Sequence, residues 1–472
     1  MDLNVNLSQI LRNNGYTAVK GIKKESLDAF FERMKPVSIS RELIRVGGYG
    51  DGGYLIPDDL DDIEACFSPG VADVANFESE MANRGIRSYM ADYSVEHPPL
   101  VNPLFDFEKK YLGDTNNQAF MRLQDWVTRK VGSQIRELLL QMDIEGNEYQ
   151  VILDTPRETL RQFKIMVIEF HSLDQLLLPQ AFNFIGQAFT KLLNDFCLVH
   201  IHPNNYWAPL TYGEYQIPPA VEITLYRKDR VVLSATPPSF PHILDSKNIF
   251  NKPEVVLPEC WRRDLNDIDD FLRTIYGVIH VGGSIGQEHH LYDKHGLSVV
   301  WIEALESAYQ ELTRVIEELP NQVAFRRLIT DHDNVDYPFH VSNNEGISSS
   351  IYKPTGHKEI WPQVTFDETI QLKSTTLATF FEAEGIDLTN FQALVLDTQG
   401  SELLVLKGLG GLITRFKYIK TEAADFEAYE GSCLMDDIDC YLNEYGFRKI
   451  ITKEMTKRTE GGNFYDVLYA QE

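Results

Sequence analysis

Carboxylates recur in this chain at a spacing suited to group-transfer chemistry. Asp143, Gly146 and Glu148 form a DxxGxE string, and Asp397, Gly400 and Glu402 repeat it. An apolar run precedes each, LLLQM before Asp143 and ALVL before Asp397, so each Asp is expected at the C-terminal end of a buried strand, where open α/β sheets bind ligands. A carboxylate in that position can orient or deprotonate a bound hydroxyl. A further acid follows 26 residues later in the first half (Glu169, in IMVIEF) and 25 later in the second (Glu422, in YIKTE). Upstream, Gly70 precedes Asp92 by 22 residues and Gly282 precedes Glu303 by 21. Four landmarks in one order at nearly one spacing point to two diverged copies of a single α/β domain.

The glycines and acids upstream suit a nucleotide cofactor. A glycine turn after the first strand lets backbone approach the ligand, and an acid ending the second strand can accept both ribose hydroxyls. Gly70 and Asp92 fit these roles in the first copy; Gly282, Gly283, Ser284, Gly286 and Glu303 fit them in the second. The same pattern serves NAD. Glu148 and Glu402, in the first turn of the following helix, read as caps that complement its dipole.

The first copy is richer in imidazole. His171 follows Glu169, and HIHPNN carries His200, His202, Asn204 and Asn205; strand alternation puts His200 and His202 on one face. Carboxylates with imidazoles suit a general base or a divalent metal. No HExxH or HxxxH spacing fixes a ligand set, so a base role for His171 or His202 is favoured, and Asp143, Glu169, His171 and His202 are the metal candidates. In the second copy Asp397 and Glu422 are the base candidates, ahead of His289 and His290. Tyr206, Trp207, Tyr212 and Tyr215 offer rings that a sugar could stack on.

These residues need a sheet to position them. Short apolar runs alternate with helical stretches in both halves, the pattern of a parallel sheet covered on both faces. In the second half the runs are GVIHVG, LSVVWIEA, VAFRRLI, ALVLDT, YIKTEA, FRKIITKE and FYDVLYA, and the last two are too close for a crossover helix, so they should form an antiparallel hairpin. DFCLVHIH and AVEITLYRK close the first half the same way. The expected organisation is a helical extension over 1–35, a first domain over 36–235, a proline-rich linker over 236–260 and a second domain over 261–472.

The second copy resembles the FkbM family of S-adenosylmethionine-dependent methyltransferases across most of residues 275–471. The resemblance rests on HVGGSIGQ (His280 to Gln287), WIE ending at Glu303, the serines near Ser342 and Ser348, and DTQGSELLVLKG from Asp397 to Gly408. His280 departs from the family, which often has Asp there. The first copy is similar to a more distant methyltransferase-like branch through RVGGYGDGGY (Arg45 to Tyr54), FSPG, DIEGNE, EFH and HIHPNN. The resemblance implies an α/β chain of two Rossmann-like class I methyltransferase domains, each a doubly wound sheet ending in an antiparallel hairpin. It adds Gln287 to the cofactor-binding residues, implies S-adenosylmethionine as donor, and implies O-methylation of a sugar, glycan or glycolipid precursor. The alternatives are one working domain beside a degenerate one, and an NAD-dependent oxidoreductase, which the terminal hairpins disfavour.

Composition bounds the rest. The chain has 472 residues, 43% of them hydrophobic, and a net charge of −26. That charge and the lack of a basic stripe argue against a nucleic-acid partner. Five scattered cysteines without a CxxC pair suggest neither zinc nor disulfides, and no run is apolar enough to span a membrane. A cytoplasmic protein is expected, with a homo-oligomer as a candidate state.

Overall fold

The computed structural model describes residues 21–132, 134, 136–234, 236–262, 267–458 and 461–471. It comprises two compact units, one of residues 1–231 with 236–265 and one of 232–235 with 266–472.

Seven strands form the main sheet of the first unit: β1 (Ala65–Pro69), β2 (Arg87–Ala91), β3 (Phe105–Glu108), β4 (Leu138–Met142), β5 (Phe163–Phe170), β6 (Phe196–Pro203) and β7 (Val221–Arg227). Their order is β6-β7-β5-β4-β1-β2-β3; β1 to β5 pair in parallel, and β7 runs antiparallel to β5 and β6. Every residue of β1, β4, β5, β6 and β7 is buried, as expected of strands covered on both faces.

The second unit repeats this plan with β8 (Gly277–Val281), β9 (Ser298–Glu303), β10 (Gln322–Arg326), β11 (Ala393–Leu396), β12 (Tyr418–Ala424), β13 (Phe447–Lys457) and β14 (Asn463–Gln471). The order is β10-β9-β8-β11-β12-β14-β13, with β14 antiparallel to both neighbours. Counted within each unit, both sheets read 3-2-1-4-5-7-6. This is the Rossmann-like class I methyltransferase arrangement, hairpin included. The order reverses between strands one and four, and that switch point is where ligands of open α/β sheets bind. The second unit adds a small sheet of Leu328–Ile329, Asp336–Val341 and Glu368–Thr375, so VAFRRLI splits into two strands rather than one.

Two expected boundaries change. The helix Lys24–Met34 is not an appendage: Leu27, Phe30, Phe31 and Met34 lie on one face and are buried in the first unit's core, with Phe31 against Trp261 at 5.0 Å. The earlier stretch LSQILRNN lies outside the described residues. The proline-rich segment expected as a linker packs with the first unit, because its polar groups have partners there. Asp245 binds His200 and Glu254 binds His202, while the carbonyls of Ile249 and Pro253 accept from Asn205. All five cysteines are free thiols, and no described helix is long and apolar enough to cross a membrane.

Candidate active site

The same backbone device stands at the switch point of each unit. Gly70 and Gly282 take φ of +87° and +84°, and a Cβ would lie 1.5 Å and 1.8 Å from the carbonyl oxygens of Asp143 and Asp397. Only glycine admits that approach. Two residues on, Ala72 N donates to Asp92 Oδ2 at 2.9 Å and Ser284 N to Glu303 Oε2 at 2.8 Å. The remaining oxygen of each acid accepts from the backbone of Ser94 or Leu305, both at 2.7 Å. Glu148 Oε1 accepts from the N–H groups of Ile144 and Gly146, and Glu402 Oε1 from those of Thr398 and Gly400. Glu148 and Glu402 therefore pin the DxxGxE turn itself.

In the second unit a cavity opens at this point, lined by Gly282, Ser284, Gln287, Glu303, Asp397 and Gln399 with Ile329, Phe339 and Ile351 as its apolar side. Burial pushes the Glu303 carboxyl above its usual range. Gly283 and Gly286 are not in the lining: a Cβ would strike Trp301 at 2.9 Å or Leu312 at 2.7 Å, so they are packing glycines. Gln399 was not anticipated. Its Nε2 donates to Asp397 Oδ1 at 2.6 Å and Glu422 Oε2 at 2.8 Å, and its Oε1 accepts from Tyr429 at 2.7 Å. Beyond it lies a second, small cavity lined by Glu422, Tyr429, Cys433 and Phe464, and Gln399 borders both.

Burial raises Asp397 and raises Glu422 well above the carboxylate range, with the neighbouring Asp397 charge adding to it. Both carboxyls are thus held toward the neutral form, Glu422 the further of the two. His280 is a core residue: burial drops it to about 3, its ring stacks on Trp301 at 4.7 Å, and Nδ1 meets the Tyr292 hydroxyl. His289 is engaged by the Gly286 carbonyl, and neither it nor His290 lines a cavity described here.

The first unit has a cavity lined by Asp51, Gly52, Tyr54, Gly70, Glu78 and Asp143, but Asp92 is absent from its lining. Asp92 gives both carboxylate oxygens to backbone N–H groups, and the Ser94 hydroxyl adds a third bond. Burial lifts Asp143 to about 7. Burial alone would lower the His171 imidazolium, but Glu148, Glu169 and Asp143 outweigh it and raise the group to about 9. Asp143, Glu169 and His171 thus come together as expected. His202 does not join them. Its nitrogens meet Glu222 and Glu254, each at 3.1 Å, which override its burial and raise it to about 10. His200 and His202 do share a face, directed at the proline-rich segment.

Asn204 donates to Glu169, and its Oδ1 accepts from Tyr206 N, which ties the aromatic loop to the strand-end acids. Tyr206 and Trp207 are exposed and meet edge to face at 4.5 Å, whereas Tyr215 is buried against Phe31. Sequence reasoning missed Asp51, Glu145, Glu222 and Glu254. The first two lie in strings already noted, RVGGYGDGGY and DIEGNE, whose intervening positions carried no assigned role.

Strand order, switch-point glycine and paired strand-end acids define the class I methyltransferase fold in both units. Residues 280–449 match the Methyltransferase FkbM domain. That match falls within the second unit. Within the chain, 99 residues are 31% identical to the 2-O-methyltransferase NoeI of Sinorhizobium fredii, a match covering 20% of this chain and 40% of that protein. Two solved structures show weak likeness. Magnesium protoporphyrin IX methyltransferase from Synechocystis PCC 6803 with bound S-adenosylmethionine is 12% identical, over 41% of this chain and 69% of that one, with TM-score 0.23. A TehB-like S-adenosylmethionine-dependent methyltransferase from Corynebacterium glutamicum is 9% identical, over 42% and 80%, also with TM-score 0.23.

Proposed function

We propose that this chain is an S-adenosylmethionine-dependent O-methyltransferase acting on hydroxyls of a glycan or glycolipid precursor, with the donor bound at the second unit's switch point. The observation that carries the reading is the place of Asp397. It ends strand four, lines the cavity that also holds Glu303, and connects through Gln399 to the adjoining cavity. Methyl transfer from a sulfonium is an in-line displacement: the O–C bond forms as the S–C bond breaks, and the hydroxyl proton must leave. Asp397 is the acceptor for that proton. The name of the NoeI relative supports oxygen as the target, and the exposed Tyr206–Trp207 pair supports a sugar ligand for the first unit.

The matching φ angles and carboxylate bonds of the two switch points support descent by duplication and a second donor site. A one-donor reading is favoured by a single observation, the absence of Asp92 from the first cavity's lining. The reaction belongs in the cytoplasm, before any export of the glycan. Calorimetry with S-adenosylhomocysteine, followed by mass analysis of a glycan mixture incubated with donor, tests the proposal. Two equivalents per chain support tandem sites and one supports the second reading. No binding, or binding with no methylated hydroxyl, rejects the activity.

A further inference from the structure

In the first unit, four carboxylates surround one imidazole. His171 Nε2 lies 3.9 Å from Asp143 Oδ1, 3.6 Å from Glu145 Oε2 and 3.6 Å from Glu169 Oε1. These separations are too long for hydrogen bonds. They suit atoms that share one ion at the roughly 2.0–2.6 Å ligand distances of divalent cations. One oxygen each from Asp143 and Glu145 and a ring nitrogen of His171 all lie within 4.8 Å of one another. The other ring nitrogen, Nδ1, sits 3.2 Å from Glu148 Oε1, which aims Nε2 at the remaining carboxylates. A metal-ligating histidine is held in the same way, its second nitrogen bound to a carboxylate.

An independent observation points to a ligand. Asp143 Oδ1, the oxygen facing Nε2, is buried and has no hydrogen-bond partner. Such an atom calls for a missing donor or ion. Among the described residues no lysine or arginine pairs with Asp143, Glu145, Glu148 or Glu169. One imidazolium cannot balance them. A purely structural role, His171 tethered to Glu148, leaves Asp143 Oδ1 unexplained.

We propose that the first unit binds one divalent cation of the Mn²⁺ type through Asp143, Glu145 and His171. Two carboxylates with one imidazole favour Mn²⁺ over Mg²⁺, which prefers oxygen alone, and over softer ions that seek thiolates. Because Asp143 also lines the neighbouring cavity, the cation stands where it can bind an acceptor hydroxyl and lower its pKa. That use rests on the methyl-transfer reading; the binding does not.

The test is a Mn²⁺ titration of the metal-stripped full chain, following free Mn²⁺ by electron paramagnetic resonance. One saturable site per chain is expected. Glu145→Gln should weaken it at least 10-fold, and since the Glu145 side chain is 83% exposed the fold should be unaffected. Glu148→Gln should cost 10- to 100-fold, in line with loss of a ligand-orienting carboxylate. Asp397→Asn, in the other unit, should leave Mn²⁺ binding unchanged. No saturable uptake, equal affinity in Glu145→Gln, or loss of binding in Asp397→Asn would each overturn the site. Saturable binding without methyl transfer to any acceptor would reject the enzymatic reading and leave the site standing.

Discussion

Replacing Gly282 with alanine tests the donor site most directly. The new Cβ would lie 1.8 Å from the Asp397 carbonyl oxygen, and ordinary contact begins at 3.4 Å, so the carbonyl must retreat by about 1.6 Å. No rotamer relieves this, because the Cβ position is fixed by the backbone and the atom it meets is itself backbone. The φ of +84° costs an alanine about 1–2 kcal/mol. Separating the strand ends also strains the bonds from Gly282 N to Ile302 O (2.9 Å) and from Asp397 N to Val281 O (3.0 Å), each worth about 1 kcal/mol. The sum is about 3–4 kcal/mol, in the range of a core defect. Moving Asp397 by more than an ångström should also lower methyl transfer about 100-fold. Gly296→Ala is the control: its φ is +64° but nothing lies within 4 Å of the new Cβ, so it should cost about 1–2 kcal/mol of strain and leave donor binding intact. Urea unfolding followed by fluorescence gives the stability, and calorimetry with S-adenosylhomocysteine gives the affinity. If Gly282→Ala binds as wild type does, the reasoning that this turn floors the donor site is refuted.

Glu303→Gln removes one acceptor oxygen from the Ser284 and Leu305 amides; donor affinity should fall at least 10-fold, whereas Asp92→Asn should change it by less than 3-fold, both read by the same calorimetry. Gln399→Ala uncouples Asp397 from Glu422 and should lower turnover by about 10- to 100-fold with little change in donor affinity, measured by steady-state kinetics. His202 rises to about 10 in the folded state from an ordinary value near 6.5, so its stabilisation is complete below about pH 6.5 and is lost as pH climbs through about 10. That contribution is on the order of 5 kcal/mol. Unfolding midpoints should therefore fall between those pH values, and His202→Gln should flatten the decline; an unchanged profile would refute the assignment.

The landmarks legible in the sequence were those fixed by local geometry. A glycine that must take positive φ, an acid closing an apolar run and a hairpin too short for a helix all declare themselves within a few residues. Gly70, Gly282, Asp143 and Asp397 therefore stand where their spacing placed them. Roles set by register across distant strands were not legible. Glu222 reaches the first unit's acids because it pairs with Glu169 across antiparallel β7 and β5, a register no local pattern records. Glu254 and Asp245 come from a segment whose prolines suppress periodicity, so it read as a spacer. His202 was grouped with His171 because both sit at strand ends, yet β7 lies between their strands. Gln399 was overlooked because a neutral amide between two acids carries no charge signal.

The proline-rich segment has a practical side. Severing the chain near residue 235, where the sequence suggests a seam, would strip the first unit of Asp245, Glu254 and Trp261. His200 and His202 would lose their outer carboxylates, and Phe31 its indole neighbour. During synthesis that half cannot complete its core until Trp261 has emerged, by which point residues 232–235, which belong to the other half, are already made. The two halves are thus threaded through each other in sequence, and a clean excision of either one requires rejoining the chain rather than merely cutting it.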